Sequence, residues 1–429
     1  MSIQQVDIVN TLILPHFFIY LLKAIGLSLF LSTPIITHAA AGDIILVNSA
    51  TSLRAALDSA TGGETIRLTA ANYGLFNIHN YNFSEYVTIR SDNNRDAEFT
   101  TINFQNTSYV RLDQLTIVPG AREAIGIFNA SHHIQVLNSE LYGANQFNRL
   151  NPDYTQVSTL YGVNTNGNVH HLLIQNNDAH DFKSSAYLFV NTTDSIIKNN
   201  RCNWVASDCF KLASAEGILF ENNVGAQQIH ASPTAHIDFV QGQGDVKNSI
   251  FRGNVALMGT RSFQGLFFDD ATYENLTFEN NIIYTANIRG ISVSGAQSTG
   301  IVARYNTVLR TAGTQKASLI LLPAGSVKEY NIEANNVTKN SDRFLNNNIV
   351  TQWDDANDIA HYQLYYTNAL HGPFANIEDL RPVADSPADG QFGAFARIRE
   401  LLQNPPVGAD SNNFHIIPLN TNKTVVLPF

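Results

Sequence analysis

"EGILFENNV" (Glu216–Val224) and "ENLTFENNI" (Glu274–Ile282) are two copies of one pattern, alternating apolar and polar residues that close on Glu-Asn-Asn. Weaker copies surround them: "YVTIRSDN" (Tyr86–Asn93), "YVRLDQLTI" (Tyr109–Ile117), "HHIQVLNSE" (His132–Glu140), "HHLLIQNND" (His170–Asp178), "DSIIKNNRC" (Asp194–Cys202), "KNSIFRGNV" (Lys247–Val255), "TGIVARYNT" (Thr299–Thr307) and "KEYNIEANNV" (Lys328–Val337). The closing asparagines are Asn138, Asn177, Asn200, Asn223, Asn254, Asn281, Asn306 and Asn336, and from Asn177 onward they recur in steps of 23, 23, 31, 27, 25 and 30 residues. Short alternating runs with tight turns between them are strands. One such coil cannot bury its own apolar face, whereas a stack of coils shares a continuous core and lets each turn asparagine bond its neighbours above and below. The pattern therefore predicts a parallel β-solenoid over residues 65–350. A sandwich of antiparallel hairpins would need a two-residue turn at each reversal and leaves the repeated Glu-Asn-Asn without a reason.

Outside the repeat the chain changes character. Lys23 followed by the apolar "AIGLSLFLSTPII" (24–36) and by Ala39-Ala40-Ala41 reads as a signal peptide over residues 1–41, cleaved before Gly42. The competing reading is an uncleaved anchor over residues 11–36, which are enough to span a bilayer. Leu53, Ala56 and Leu57 predict an amphipathic helix over 53–59 that caps the solenoid, followed by a turn at Gly62-Gly63 and a strand at 65–68. Residues 42–350 thus form one capped domain. Residues 351–429 lose the periodicity, with a short helical piece at 394–402 and a strand in "KTVVLPF", and form an irregular tail that covers the open end.

The 26 basic residues against 36 acidic ones leave a net charge of −10, which argues against a nucleic-acid partner. Export implies a secreted, periplasmic or cell-surface protein with no membrane insertion after cleavage, and the chain is expected to be a monomer. In that compartment Cys202 and Cys209 can close a small loop, although spacing alone does not show that their Cβ atoms face one another.

Coils of this length, with "E-N-N" after an x-L/I-x-F strand, resemble the right-handed parallel β-helix of the pectate-lyase-like superfamily. The resemblance implies an all-β fold and, as substrate class, a polysaccharide; the superfamily includes lyases, glycoside hydrolases, uronate C5-epimerases and adhesins. It does not by itself imply an activity.

Counting back from each asparagine aligns "SDCFKL" (207–212), "HIDFVQ" (236–241), "FQGLFFDD" (263–270) and "RGISVSG" (289–295) on another face of the same coils. Lys211 then falls beside Gln241. If Phe210 and Leu212 point inward, Cys209 and Lys211 point out, and in the next coil Phe239 and Gln241 do the same. His236 and Asp238 have the opposite parity and reach that face only if a bulge or turn breaks the strand before Phe239. The expected polar ladder is Lys211, His236, Asp238, Gln241, Gln264, Asp269, Asp270 and Arg289, with Asp208 as a turn or cap residue. The long stretches 143–162 and 225–235 would wall this face, and Tyr154, Tyr161 and Tyr187 would offer sugar-stacking rings.

An elongated polar face suits a linear polymer. For an acidic, uronate-containing chain the chemistry is β-elimination, which needs a base and groups that hold the enolate charge. Lys211 is the base candidate and His236 its alternative, with Asp238 and Arg289 as further catalytic candidates. Gln241, Gln264 and Tyr187 would bind substrate, and Asp238, Asp269 and Asp270 would hold Ca²⁺ if they converge. A hydrolase would instead set Asp238 across from Asp269 or Asp270, roughly 5 to 9.5 Å apart. The Asp-Asp pair resembles that of polygalacturonase-like hydrolases, but their "GHG" and "RIK" motifs are absent, as is the D-P-H motif of mannuronan C5-epimerases. The third reading is a glycan-binding surface protein without catalysis.

Overall fold

The computed structural model describes residues 41–145, 153, 155, 157–226, 237–257, 263–285, 287–295, 297–310, 319–334, 344–345, 347–351, 393–394, 415–419 and 423–427. The signal peptide, apart from residue 41, and the helical piece at 395–402 lie outside them. Between Thr65 and Thr351 the chain winds as a parallel β-solenoid with three faces per coil. The first face holds strands such as Tyr161–Asn166, Tyr187–Val190 and the start of Phe210–Glu221; the second holds strands such as Thr192–Lys198 and the end of Phe210–Glu221. Long strands that bend from one face to the next merge these two into a 21-stranded sheet, and a separate 13-stranded sheet forms the third face. Nearly all pairing is parallel. The exceptions are Phe344–Leu345 with Asn348–Thr351, and the hairpin of His415–Leu419 with Lys423–Leu427, where the sequence predicts the tail strand.

The helix runs from Ala50 to Ser59 and is the only one among the described residues. Ser49 caps it by accepting from the Ser52 N–H while Ser52 returns a bond to the Ser49 backbone, and Leu53, Ala56 and Leu57 are buried against the first coil. The strand after it is Thr65–Leu68, as predicted.

Each Glu-Asn-Asn turn divides its labour. The first asparagine adopts positive φ, as in Asn176 (58°), Asn199 (56°) and Asn222 (53°), with Gly253 doing so one coil later (65°); asparagine and glycine tolerate this conformation best. The second asparagine is buried in a ladder. The Asn200 backbone N–H donates to Asn223 Oδ1 at 3.0 Å, and its Nδ2 donates to the Ile174 carbonyl at 2.8 Å. The ladder continues through Asn254, Asn281, Asn306, Asn331 and Asn348. Two assignments change. Asn138 belongs to the outer, positive-φ column, and Ser139 takes the buried place in its coil. Asn331 occupies the ladder position that the sequence assigned to Asn336, which lies outside the described residues; "EYN" and "ANN" both end in asparagine, and only packing distinguishes them.

The interior is a column of rings. Phe220 meets Phe251 at 5.6 Å between centroids, Phe251 meets Phe278 at 5.2 Å, and Tyr187 stacks on Phe210 at 4.7 Å. Offset and tilted arrangements of this kind add to the burial of large apolar surface.

Candidate functional site

The connections from the third face to the first contain the longest stretches of the coils, 143–160 and 227–236, with 311–318 after them, whereas the first-to-second turns are short except for 294–301. One corner of the solenoid therefore carries the variable segments, and the outward positions of the first face lie beside it.

Register places Lys211 between Leu188 and Gln241, and Gln241 beside Phe267, which in turn pairs with Ser292. The predicted Lys211–Gln241 alignment holds. Phe210 and Leu212 are fully buried, so Lys211 points outward and is half-buried. Among the described residues it forms no ion pair or hydrogen bond, in particular none with Asp208 or Asp238. Gln241 is 6% exposed. Arg289 reaches along the same face, its guanidinium 4.9 Å above the Phe267 ring and its Nε 3.6 Å from Asp269 Oδ2. Asp269 also accepts from Ser292 Oγ at 3.1 Å. Lys211 and Phe267 are two coils apart, about 10 Å at the usual strand spacing, and Arg289 reaches back over Phe267 from the coil beyond. Lys211, Gln241, Arg289 and Asp269 thus share one face, and Phe267 and Ser292 join them. Phe267 was missed because a phenylalanine in an apolar run reads as core, although its register with Gln241 marks it as outward.

The corner positions behave differently. Asp208 is buried, accepts the Asp238 N–H at 3.1 Å and takes a bond from Ser207 Oγ at 3.3 Å, so it holds the start of the next coil as a cap. Asp238 is fully buried in register with Gln264. Gln264 is 3% exposed, and its Oε1 is buried without a hydrogen-bond partner. Phe239 does not point outward as expected. It is fully buried, 5.6 Å from Phe210 and 6.2 Å from Phe220, because the chain bends at this corner and directs consecutive side chains inward. Tyr187 is not a sugar platform either: it lies in the core with its hydroxyl donating to the Asn177 and Arg201 carbonyls, and burial pushes its pKa well up. Tyr161 is partly exposed at the head of a first-face strand with Arg122 5.4 Å over its ring. His236 and Tyr154 lie outside the described residues.

The carboxylates do not converge. Asp238 pairs with Gln264, and Asp269 stands five residues further along that strand, about 17 Å away. That separation exceeds what either hydrolytic geometry uses, so Asp238 does not face Asp269 or Asp270 across a bond. Asp270 is exposed, and its backbone N–H donates to the Tyr273 hydroxyl. Among the described residues no three His, Cys, Asp or Glu side chains form a metal-ligand set. Cys202 and Cys209 are joined as a disulfide at this corner, closing the turn that leads to Lys211, and Cys209 is fully buried by that bond rather than outward as alternation predicts.

No family model matches the chain, and no curated protein does. Its fold is a parallel β-solenoid. Solved structures with a similar course include an alginate lyase from Paenibacillus sp. str. FPU-7, 16% identical, over 67% of this chain and 95% of that one, with a TM-score of 0.42. A mannuronan C-5 epimerase A-module from Azotobacter vinelandii is 14% identical over 68% of this chain and 96% of its own, with a TM-score of 0.39. A pectate lyase is 15% identical over 67% and 78%, with a TM-score of 0.40. At these levels the likeness concerns the fold, and the functional reading rests on the side chains of the first face.

Proposed function

We propose that the chain is an exported polysaccharide lyase that cleaves a uronate-containing polymer by β-elimination on the first face. The observation that supports it is Lys211: an outward amine with no ion pair among the described residues, in register with Gln241, two coils from Phe267 and three from Arg289, whose guanidinium lies over the Phe267 ring. In this reading Lys211, in its neutral form, takes the proton beside the uronate carboxylate. Electrons move into a new C=C bond conjugated to that carboxylate, the glycosidic C–O bond on the adjacent carbon breaks, and the departing oxygen takes up a proton. Gln241 and Arg289 hold the carboxylate as charge builds on it. The Asp269 carboxylate keeps Arg289 oriented along the face. The Cys202–Cys209 disulfide favours an oxidising, extracytoplasmic setting.

The test is incubation with a panel of acidic and neutral polysaccharides, following both ultraviolet absorbance of unsaturated ends and new reducing ends. A polyuronate should produce both signals. Lys211→Ala should lower the rate by about 10² to 10⁴, the range for losing a general base, with an unchanged melting temperature because the side chain points outward. Reducing ends without absorbance would move the assignment to hydrolysis. Binding without either signal would leave a glycan-binding protein, and full activity of the variant would remove Lys211 from the mechanism.

A further inference from the structure

The second face carries a pattern that the proposed reaction does not use. Its middle outward column is apolar: Leu173, Ile196, Leu219 and Ile250 lie side by side on consecutive coils, and after Thr277 the column resumes with Val302 and Val327. Ile196 and Ile250 are 38% exposed and Val327 is 45% exposed. The column two residues further along alternates in charge from coil to coil, as Lys198, Glu221, Arg252, Glu279, Arg304 and Glu329. On the other side Glu216, Lys247 and Glu274 alternate in the same phase.

The geometry points to this face as the interface between two antiparallel copies of the chain. A two-fold axis lying in the interface, perpendicular to the solenoid and between the coils of Arg252 and Glu279, reverses coil order while keeping each column opposite itself. Arg252 then meets Glu279 of the second copy, Glu221 meets Arg304, and Lys198 meets Glu329. The other charged column obeys the same operation, with Lys247 against Glu274. In the apolar column Leu219 meets Val302 and Ile196 meets Val327. An axis through the centre of a coil would set Arg252 on Arg252. An axis along the solenoid would set Arg252 near Lys247 and Glu279 near Glu274. Charge complementarity therefore selects one arrangement.

Six coils about 4.8 Å apart, with columns about 7 and about 10 Å apart, make a face of about 600 Å² per copy, or about 1,200 Å² in total, at the lower end of specific interfaces. The charges already pair along each column, as in Arg304 with Glu279 at 2.8 Å and Lys247 with Glu274 at 3.2 Å; exposed pairs of this kind contribute little alone. Pairing through the second face leaves the first face and Lys211 in solvent, so this inference stands whether or not the proposed reaction does. It replaces the monomer expected from the sequence.

The experiment is light scattering and sedimentation velocity on the full chain over a range of concentrations. A reversible dimer is expected. Arg252→Glu sets like charges together twice in the dimer and should weaken it at least about ten-fold, as a difference of about 1.4 kcal/mol would do. The double variant Arg252→Glu with Glu279→Arg should restore it. That restoration is diagnostic, because within one chain the double change is no better than the single: the new carboxylate sits beside Glu221 in both, and the second like-charged contact is with Glu279 in the single and between the new guanidinium and Arg304 in the double. If Arg252→Glu does not fold, Ile250→Lys reads the same face, with a monomer supporting the interface and an undiminished dimer overturning it. A wild-type chain that stays monomeric at every concentration overturns it, whether the face remains in solvent or another segment covers it. A double variant as monomeric as the single overturns it too.

Discussion

His180 and the paired histidines of the first-to-second corner titrate in opposite directions. Burial alone would lower the His180 pKa, but Asp181 Oδ2 at 2.7 Å and Glu140 Oε1 at 3.4 Å outweigh it and raise the pKa to about 9. A group raised from 6.5 contributes stability that is complete below 6.5 and is lost as pH rises through about 9; the shift corresponds to about 3 kcal/mol. At the other corner His132 stacks on His170 at 4.9 Å and His133 on His171 at 4.7 Å, while the Nδ1 atoms of the sequence neighbours His132 and His133 are 2.8 Å apart and those of His170 and His171 2.6 Å. One nitrogen of each contact donates and the other accepts, so a second proton on a pair sets N–H against N–H. Burial first, and then the neighbouring imidazoles, lower the pKa of His132, His133 and His170, against a smaller opposing pull of Asp194 on His170. Tyr109 stacks on His133, Tyr86 meets Tyr109 edge-on, and Arg111 lies over Tyr86. These histidines contribute stability present above 6.5 and lost as pH falls below it. Melting temperature should therefore be highest near pH 6.5, falling on the acid side below it and on the alkaline side between 6.5 and about 9. His180→Gln should flatten the alkaline decline, and His133→Asn, which suits the φ of 51°, should soften the acid one. A wild-type profile with no alkaline decline would contradict the His180 assignment.

At the scale of the element, the turn asparagines set the register of the coils. Asn254 Oδ1 accepts from the Asn223 backbone N–H at 2.9 Å and from its Nδ2 at 3.3 Å, while Asn254 Nδ2 donates to the Phe220 carbonyl at 3.0 Å and to Asn281 Oδ1 at 2.9 Å. All lie in the dry interior. Asn254→Ala leaves several of these groups buried and unpaired, at about 1 to 3 kcal/mol each, so a loss of at least about 3 kcal/mol is expected from urea unfolding. Asn254→Asp keeps the acceptor but turns an oxygen toward two others and should not rescue it. An unfolding midpoint equal to wild type for either would remove the ladder from the account. A different constraint acts at Gly242, where a Cβ would stand 2.1 Å from the Phe268 ring. Gly242→Ala should cost about 1 to 3 kcal/mol through overpacking, read from the same unfolding curves. The ladder was legible because Glu-Asn-Asn recurs with each coil. Its exact seat was not, since Ser139 and Asn331 take it by packing where the local sequence offers Asn138 and Asn336.

On the scale of the whole molecule, the tail returns to the solenoid. The Gly393 N–H donates to the Tyr330 carbonyl, the Ala394 N–H donates to Thr307 Oγ1 at 3.0 Å, and Ala394 is fully buried. Ending the chain at Thr351 removes these contacts and exposes the site that Ala394 fills, so a lower melting temperature is expected, with light scattering to check that the shortened chain stays soluble. A truncated chain as stable and soluble as the full one would show that these contacts do not matter. The sequence by itself determined that this chain is a solenoid with a capping helix, and it aligned Lys211 with Gln241, because coil period and strand alternation are local properties that repeat. Only the tertiary structure decided which polar residues reach the first face. A bend at the third-to-first corner buries consecutive side chains, Asp238 and Phe239 among them, while Arg289 emerges over the buried Phe267 ring two coils from Lys211. A bend of that kind depends on the coils above and below, and alternation along one strand carries no record of it.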